Sequence, residues 1–201
     1  MKVYHASHAR SCRVRWILEE LGIDYELVTM EFKPESLQSP AYLAKNPGGR
    51  IPTLEDGDTV IFESGAILQY LLERYGKGRL EPKIGAPERA AYLQWFHWAE
   101  GTALPPISDF VQHAMMRPED KRIAAMVPDA AERIQKNLAV LEGALEGKTY
   151  MAGDELTAAD IMVGYAIHLV KLTGQLGDAY PNVKAYFERV SARPAFRKAF
   201  A

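Results

Sequence analysis

The sequence predicts an α/β unit followed by an all-helical unit. Three observations carry this. Short β-like runs alternate with helical periodicities up to residue 75. A stretch at 76–85, "GKGRLEPKIG", holds three Gly and one Pro with no apolar rhythm. Beyond it every apolar pattern has helical spacing.

The first strand is read from "MKVYHA". In "RVRWILEELG", Val14, Ile17, Leu18 and Leu21 recur at helical spacing and Gly22 supplies a natural stop. "DYELVTM" reads as a second strand, and "SPAYLAKNP" as a short helix ended at Asn46-Pro47. "PTLEDGDTVIF" reads as a hairpin around an Asp-Gly pair. A helix follows, with Ile67, Leu68, Leu71, Leu72 and Tyr75 on one face. The order is β-α-β-α-β-β-α over residues 1–75. With 76–85 as linker, residues 86–201 form the helical domain. Its first helix is long and aromatic, with a kink or break expected at Pro105-Pro106. "PDAAERIQKNLAVLEGALEG" is amphipathic and ends at Gly147. "TAADIMVGYAIHLVKL" is apolar nearly all round, so it predicts a buried central helix. Two short helices split at Arg193-Pro194.

Bulk properties exclude several function classes. The 201 residues are 48% hydrophobic and 25% charged, with a formal net charge of −2. That balance argues against nucleic acid, whose phosphates call for a clustered positive surface. No apolar run is long enough to span a membrane, and "MKVYHASHAR" is too polar for a signal peptide, so a cytoplasmic location is expected. One cysteine, Cys12, rules out an internal disulfide and any metal site built on several thiols. His97, His113 and His168 lack metal-ligand spacing, so no metal is expected. No phosphate-binding or dinucleotide glycine loop is present.

Two adjacent segments carry binding chemistry. In "NPGGRIPTL", residues 46–54, Pro52 stands at the start of a strand. If the Ile51–Pro52 bond is cis, Ile51 turns its N–H and C=O outward, where an extended peptide can pair with them. In "ESGAILQYL" the helix beginning near Glu63 and Ser64 offers free N–H groups that favour a carboxylate. One segment suits a peptide backbone and the next suits an anion, although Ser64 alone also reads as a simple helix cap.

Together with "LTAADI" in the second half, these segments make the chain resemble the glutathione transferase family over essentially its whole length. "RVRWILEELGIDYEL" and "YPNVKAYFERVSARPAF" are similar to bacterial and fungal theta-like members. The resemblance implies a thioredoxin-like first domain, a helical second domain, a homodimer, and glutathione as co-substrate with a small electrophile. It implies that Ile51, before Pro52, binds the cysteinyl part of glutathione through its backbone. Glu63 takes the γ-glutamyl ammonium, and Ser64 with its helix end takes the carboxylate. Arg50 stands within reach of a carboxylate or points to water. Glu100, in an otherwise apolar helix, is the acidic residue that reaches the partner's γ-glutamyl ammonium; the bland alternative is a solvated carboxylate. The aromatic richness of the same helix also points to a dimer.

The chemistry needs a thiolate, whereas a free thiol, with a pKa of roughly 8.5, is mostly protonated at neutral pH. A donor near the sulfur at a helix N-terminus corrects this. The loop "HASHARSCR" occupies that place. Theta-like relatives read "SRSQR" or "SSPCR" there, with the first serine activating; here that position is Ala9, and Ser11 is the expected activating residue. Ser7 is the other hydroxyl of the loop; Arg10 is an assisting cation or points to water, His8 is a further donor or simply exposed, and Ser11 as a mere helix cap is the alternative. Cys12 reads as a structural thiol, although omega and beta classes use a cysteine in this loop. Thr157 and Asp160 read as a capping box with Leu156 and Ile161 as its hydrophobic staple, a folding device rather than catalysis. Trp95, Trp98, Phe110, Met115 and Met116 read as core, with Phe110 and His113 as possible linings of a second-substrate pocket. Two rival functions stand beside conjugation. One is a glutathione-dependent disulfide or peroxide reductase using Cys12 or the bound thiol. The other is a non-catalytic interaction protein resembling the stringent-starvation regulators.

Overall fold

A computed structural model describes residues 1–201 in full. Four short strands, β1 (Lys2–His5), β2 (Glu26–Thr29), β3 (Thr53–Asp56) and β4 (Thr59–Phe62), form one sheet in the order β2-β1-β3-β4. β1 runs parallel to β2 and antiparallel to β3, and β3 is antiparallel to β4. The parallel pair needs a helical crossover, and α1 (Ser11–Leu21) provides it. Gly22 ends α1 at φ 69°, and the Ile23 N–H reaches back to Leu18 O at 3.0 Å. Only glycine adopts that backbone cheaply. The segment after β2 makes two single-turn helices, α2 (Pro34–Leu37) and α3 (Pro40–Leu43), each opened by a proline at its first position. β3 and β4 join through Gly57-Asp58 with Asp56 facing Thr59, the two-residue hairpin read from the sequence. α4 (Ser64–Leu71) follows and continues into a π-helical turn at Leu72–Gly76.

The chain forms two compact units: residues 1–80 with 192–201, and residues 81–191. Residues 86–201 were expected to form one helical domain, but α10 (Pro194–Phe200) groups with the first unit. The reason is its aromatic face. Trp16 of α1 is fully buried and meets Phe196 edge-on at 4.9 Å. Arg193 grips Glu20 with two bonds of 2.6 and 2.7 Å. Val3, Val14, Ile17, Leu18, Leu54, Ile67, Leu68 and Leu71 supply the rest of this core.

The second unit is helical throughout. The long helix is α5 (Arg89–Trp98), a π-helical turn at Ala99–Ala103, α6 (Leu104–Val111) and a second such turn at Gln112–Met116. The expected break at Pro105-Pro106 is therefore a π-helical turn just before the prolines, which sit harmlessly in the first turn of α6. α7 (Met126–Ala144) stops before Gly147. α8 (Ala158–Leu172) is buried on nearly every side, as its uniform apolarity requires, and α9 (Pro181–Ser191) completes the unit. Met115 and Met116 are exposed rather than core. No helix is long and apolar enough to cross a membrane.

Candidate functional site

The register of the hairpin places the two binding segments side by side. Thr53 pairs with Phe62, so the residues before Thr53 lie next to those after Phe62. The Ile51–Pro52 bond is cis. Ladder pairing of β1 with β3 stops at Tyr4 and Thr53, which leaves the main chain of Ile51 outside it. The loop is pinned from behind by groups that sequence reasoning missed. The Tyr42 hydroxyl donates to Arg50 O at 2.6 Å, and Asn46 Nδ2 donates to the same oxygen at 2.7 Å and to Thr53 Oγ1 at 3.1 Å. Both are buried, and their i, i+4 spacing was the available signal. The Arg50 side chain itself is exposed.

At the head of α4, Glu63 is exposed and has φ 73°, a left-handed value that costs a non-glycine residue about 1–3 kcal/mol. The first internal helix bond runs from the Ile67 N–H to Glu63 O at 2.9 Å, so the N–H groups of residues 64–66 form the open end. Glu63 holds the cap position and Ser64 is the first helical residue.

Ser64 is buried, and its Oγ lies 3.2 Å from Nη1 of Arg13, which is itself fully buried. A guanidinium has only donors, so the serine oxygen accepts and its own proton is directed elsewhere, as a donor. Arg13 was not singled out in the sequence. Its signal was a charged residue on the apolar α1, one turn from Ile17.

The loop before α1 is built around a buried serine. Ser11 has no exposed surface. Its Oγ lies 2.8 Å from His5 Nδ1, receives the Ala6 N–H and donates to Ala6 O, each at 3.3 Å. Arg15 Nη1 lies 3.2 Å from His5 Nε2. Because arginine only donates, Nε2 accepts, and the neutral ring carries its proton on Nδ1, towards Ser11. The Ser11 hydroxyl thus ties the loop before α1 to the end of β1. Arg10 occupies the cap position of α1 and is half-buried, while Ser7 and His8 are exposed.

His5 makes this network sensitive to pH. Burial, helped by Arg15 and then His8, lowers its pKa from 6.5 to about 4. A depressed folded value means that the fold holds the neutral ring. The associated stability is complete above about 6.5 and is lost as pH falls through about 4. Melting temperature should therefore decline over that window, and His5→Asn should flatten the decline. An unchanged slope in the variant would show that His5 is not its source.

Cys12 is 1% exposed, and burial raises its thiol to about 11. It is an inert structural thiol. In the second unit, Glu100 sits in the π-helical turn between α5 and α6. His113 is buried, and its Nδ1 accepts the Ile123 N–H at 3.0 Å, which braces the loop after the π-helical turn. Asp160 and Thr157 form the capping box. No group of three or more His, Cys, Asp or Glu side chains gathers to hold a metal.

Comparison with known proteins decides the family. Residues 1–73 match the family "Glutathione S-transferase, N-terminal domain" and residues 103–194 match "Glutathione S-transferase, C-terminal domain". The chain belongs to the glutathione S-transferase family. This transferase is 34% identical over 200 residues to a probable glutathione S-transferase of Oryza sativa subsp. japonica, covering 96% of this chain and 91% of that one. It is 37% identical over 198 residues to glutathione S-transferase 3 of Zea mays, covering 94% and 87%. A theta class glutathione S-transferase from the citrus canker pathogen Xanthomonas axonopodis pv. citri, solved with glutathione bound, has a TM-score of 0.87 and 29% identity. It covers 99% of this chain, which covers 96% of it. The plant sequences broaden the likeness beyond the bacterial and fungal theta-like members.

Proposed function

We propose that this transferase binds glutathione on its first unit and conjugates the thiolate to a small electrophile, as a cytoplasmic homodimer. The observation that carries the reading is the Arg13-oriented Ser64 at the open end of α4, beside the unladdered main chain of Ile51. In this reading Ile51, set by Pro52, pairs with the cysteinyl backbone. Ser64 and the N–H groups behind it hold the γ-glutamyl carboxylate. Glu63 takes the ammonium, and Glu100 of the partner adds a second carboxylate. Arg50 and Arg10, at the rim, favour the anionic ends of the ligand. The thiol gives its proton to water. The sulfur pair then forms a C–S bond as the leaving group departs with its own pair, or the adduct carbon takes a proton from water.

A burial argument favours conjugation over disulfide reduction: Cys12 is neither accessible nor easily ionised. Incubation with glutathione and an activated aryl halide should yield the thioether by mass spectrometry. Absence of product, with no retention on immobilised glutathione, would favour the interaction-protein reading. The homodimer has its own measurement. Sedimentation at micromolar concentration should give about twice the chain mass, and a species at 22.5 kDa would contradict it.

A further inference from the structure

We infer that Tyr42 and Asn46 are positioning residues for glutathione: together they aim the Ile51 N–H at the ligand. The observation is a main-chain carbonyl with both lone pairs occupied. Arg50 O accepts the Tyr42 hydroxyl at 2.6 Å and Asn46 Nδ2 at 2.7 Å. Tyr42, Asn46 and Thr53 are all buried. A carbonyl only accepts, so the single Tyr42 proton goes to Arg50 O. The 2.9 Å bond between Tyr42 and Thr53 is then donated by the threonine hydroxyl, whose oxygen accepts the second Asn46 Nδ2 proton at 3.1 Å. Asn46 Oδ1 accepts the Gly48 N–H at 3.0 Å, which fixes the orientation of the amide. The three side chains and the Arg50 carbonyl thus close a ring in which every donor has an acceptor, and its members strengthen one another.

Peptide geometry turns this ring into an aim. The Arg50–Ile51 peptide is trans, so its C=O and N–H point in opposite directions. Holding Arg50 O against the buried pair directs the Ile51 N–H away from it. Neither the β1–β3 ladder nor a turn uses that N–H. In the glutathione site proposed above, on which this inference rests, its acceptor is the cysteinyl carbonyl. The donors themselves are held in place. The Tyr42 ring lies 5.5 Å from that of Tyr4 and shares a buried cluster with Ile51. Gly49, at φ 57°, lets the loop close on Asn46, because a Cβ there would stand 2.9 Å from Leu37 O. Without the two donors the peptide plane loses its fixed direction, and binding has to restore it.

The test compares S-methyl glutathione with an isostere in which a trans alkene replaces the cysteinyl–glycine amide and so removes the cysteinyl carbonyl. By calorimetric titration, wild type should bind the first about tenfold more tightly, the worth of one buried hydrogen bond. Tyr42→Phe, which removes one oxygen and keeps the ring, should cut that ratio to about threefold, and Tyr42→Phe with Asn46→Ala should bring it to about one. Both variants should bind the isostere itself within about twofold of wild type. Tyr4→Phe removes a hydroxyl next to the same cluster that bonds Glu55 instead of Arg50, and should keep the wild-type ratio. A merely structural role for Tyr42 lowers both affinities together and leaves the ratio unchanged. That result, or loss of the ratio in Tyr4→Phe, overturns the inference. If the double variant does not fold, Tyr42→Phe alone decides. A wild type that binds both ligands equally keeps the glutathione site and overturns the aim of Ile51, and one that binds neither overturns the site as well.

Discussion

Asp160→Ala should destabilise the chain by about 3–5 kcal/mol and lower its melting temperature by roughly 10 °C. Asp160 is fully buried. Its Oδ1 accepts the Met151 N–H at 2.8 Å and the Tyr186 hydroxyl at 2.9 Å, and its Oδ2 accepts the Thr157 N–H at 2.8 Å and the Thr157 hydroxyl at 3.0 Å. Burial pushes its carboxyl pKa up, and these four donors pull against that shift. Alanine leaves all four donors without their acceptor in the interior of the second unit. Asp160→Asn should fall between, since its amide retains one acceptor oxygen but turns an NH2 towards two of the donors. Denaturant unfolding followed by circular dichroism measures both. A loss below about 1 kcal/mol in the alanine variant would mean that the network relaxes or is replaced by water.

Ser64→Ala should weaken glutathione binding by about 1–3 kcal/mol, the worth of a hydrogen bond to a charged group. Arg13→Met should cost a similar amount without touching the ligand, because Arg13 sets the direction of the Ser64 proton. The double variant should be little worse than either single one, since both remove the same oriented donor. Methionine suits the Arg13 position: a buried ionic group replaced by an apolar side chain of similar reach is often neutral for folding. Calorimetric titration of the three variants decides the matter. Equal affinity in wild type and Ser64→Ala would remove Ser64 from the site, and additive losses would separate Arg13 from it.

Much of the fold was legible because it rests on local rules. Gly22 after Leu21, the Asp-Gly hairpin, the capping box at Thr157 and Asp160, and the uniformly apolar α8 each declare themselves within a few residues. The place of α10 was not legible. Its helix was read correctly, but its companion Trp16 lies far away in sequence, and no local pattern says which core an aromatic face will enter.

The proposed site divides along the same line. Ile51, Pro52, Glu63 and Ser64 could be nominated from the sequence because each needs only its neighbours to make sense: a proline at a strand start, an acid and a serine at a helix head. Arg13, Tyr42 and Asn46 were not singled out because their bonds, Arg13 to Ser64 of α4 and Tyr42 and Asn46 to the Arg50 carbonyl, depend on the folded course of the chain.

The sequence by itself determined the element order, the two-part organisation and the closeness of the two candidate binding segments, and it left the loop before α1 open. Only the tertiary structure decided which side chain of that loop faces outward. A serine at a helix start reads the same whether it points to solvent or inward. Inside, Arg15 donates to Nε2 of His5, the ring's Nδ1–H is thereby turned towards Ser11, and the Ser11 oxygen accepts it. Hydrogen-bond satisfaction in the interior thus holds the Ser11 hydroxyl inward, whereas Ser7 and His8 are exposed.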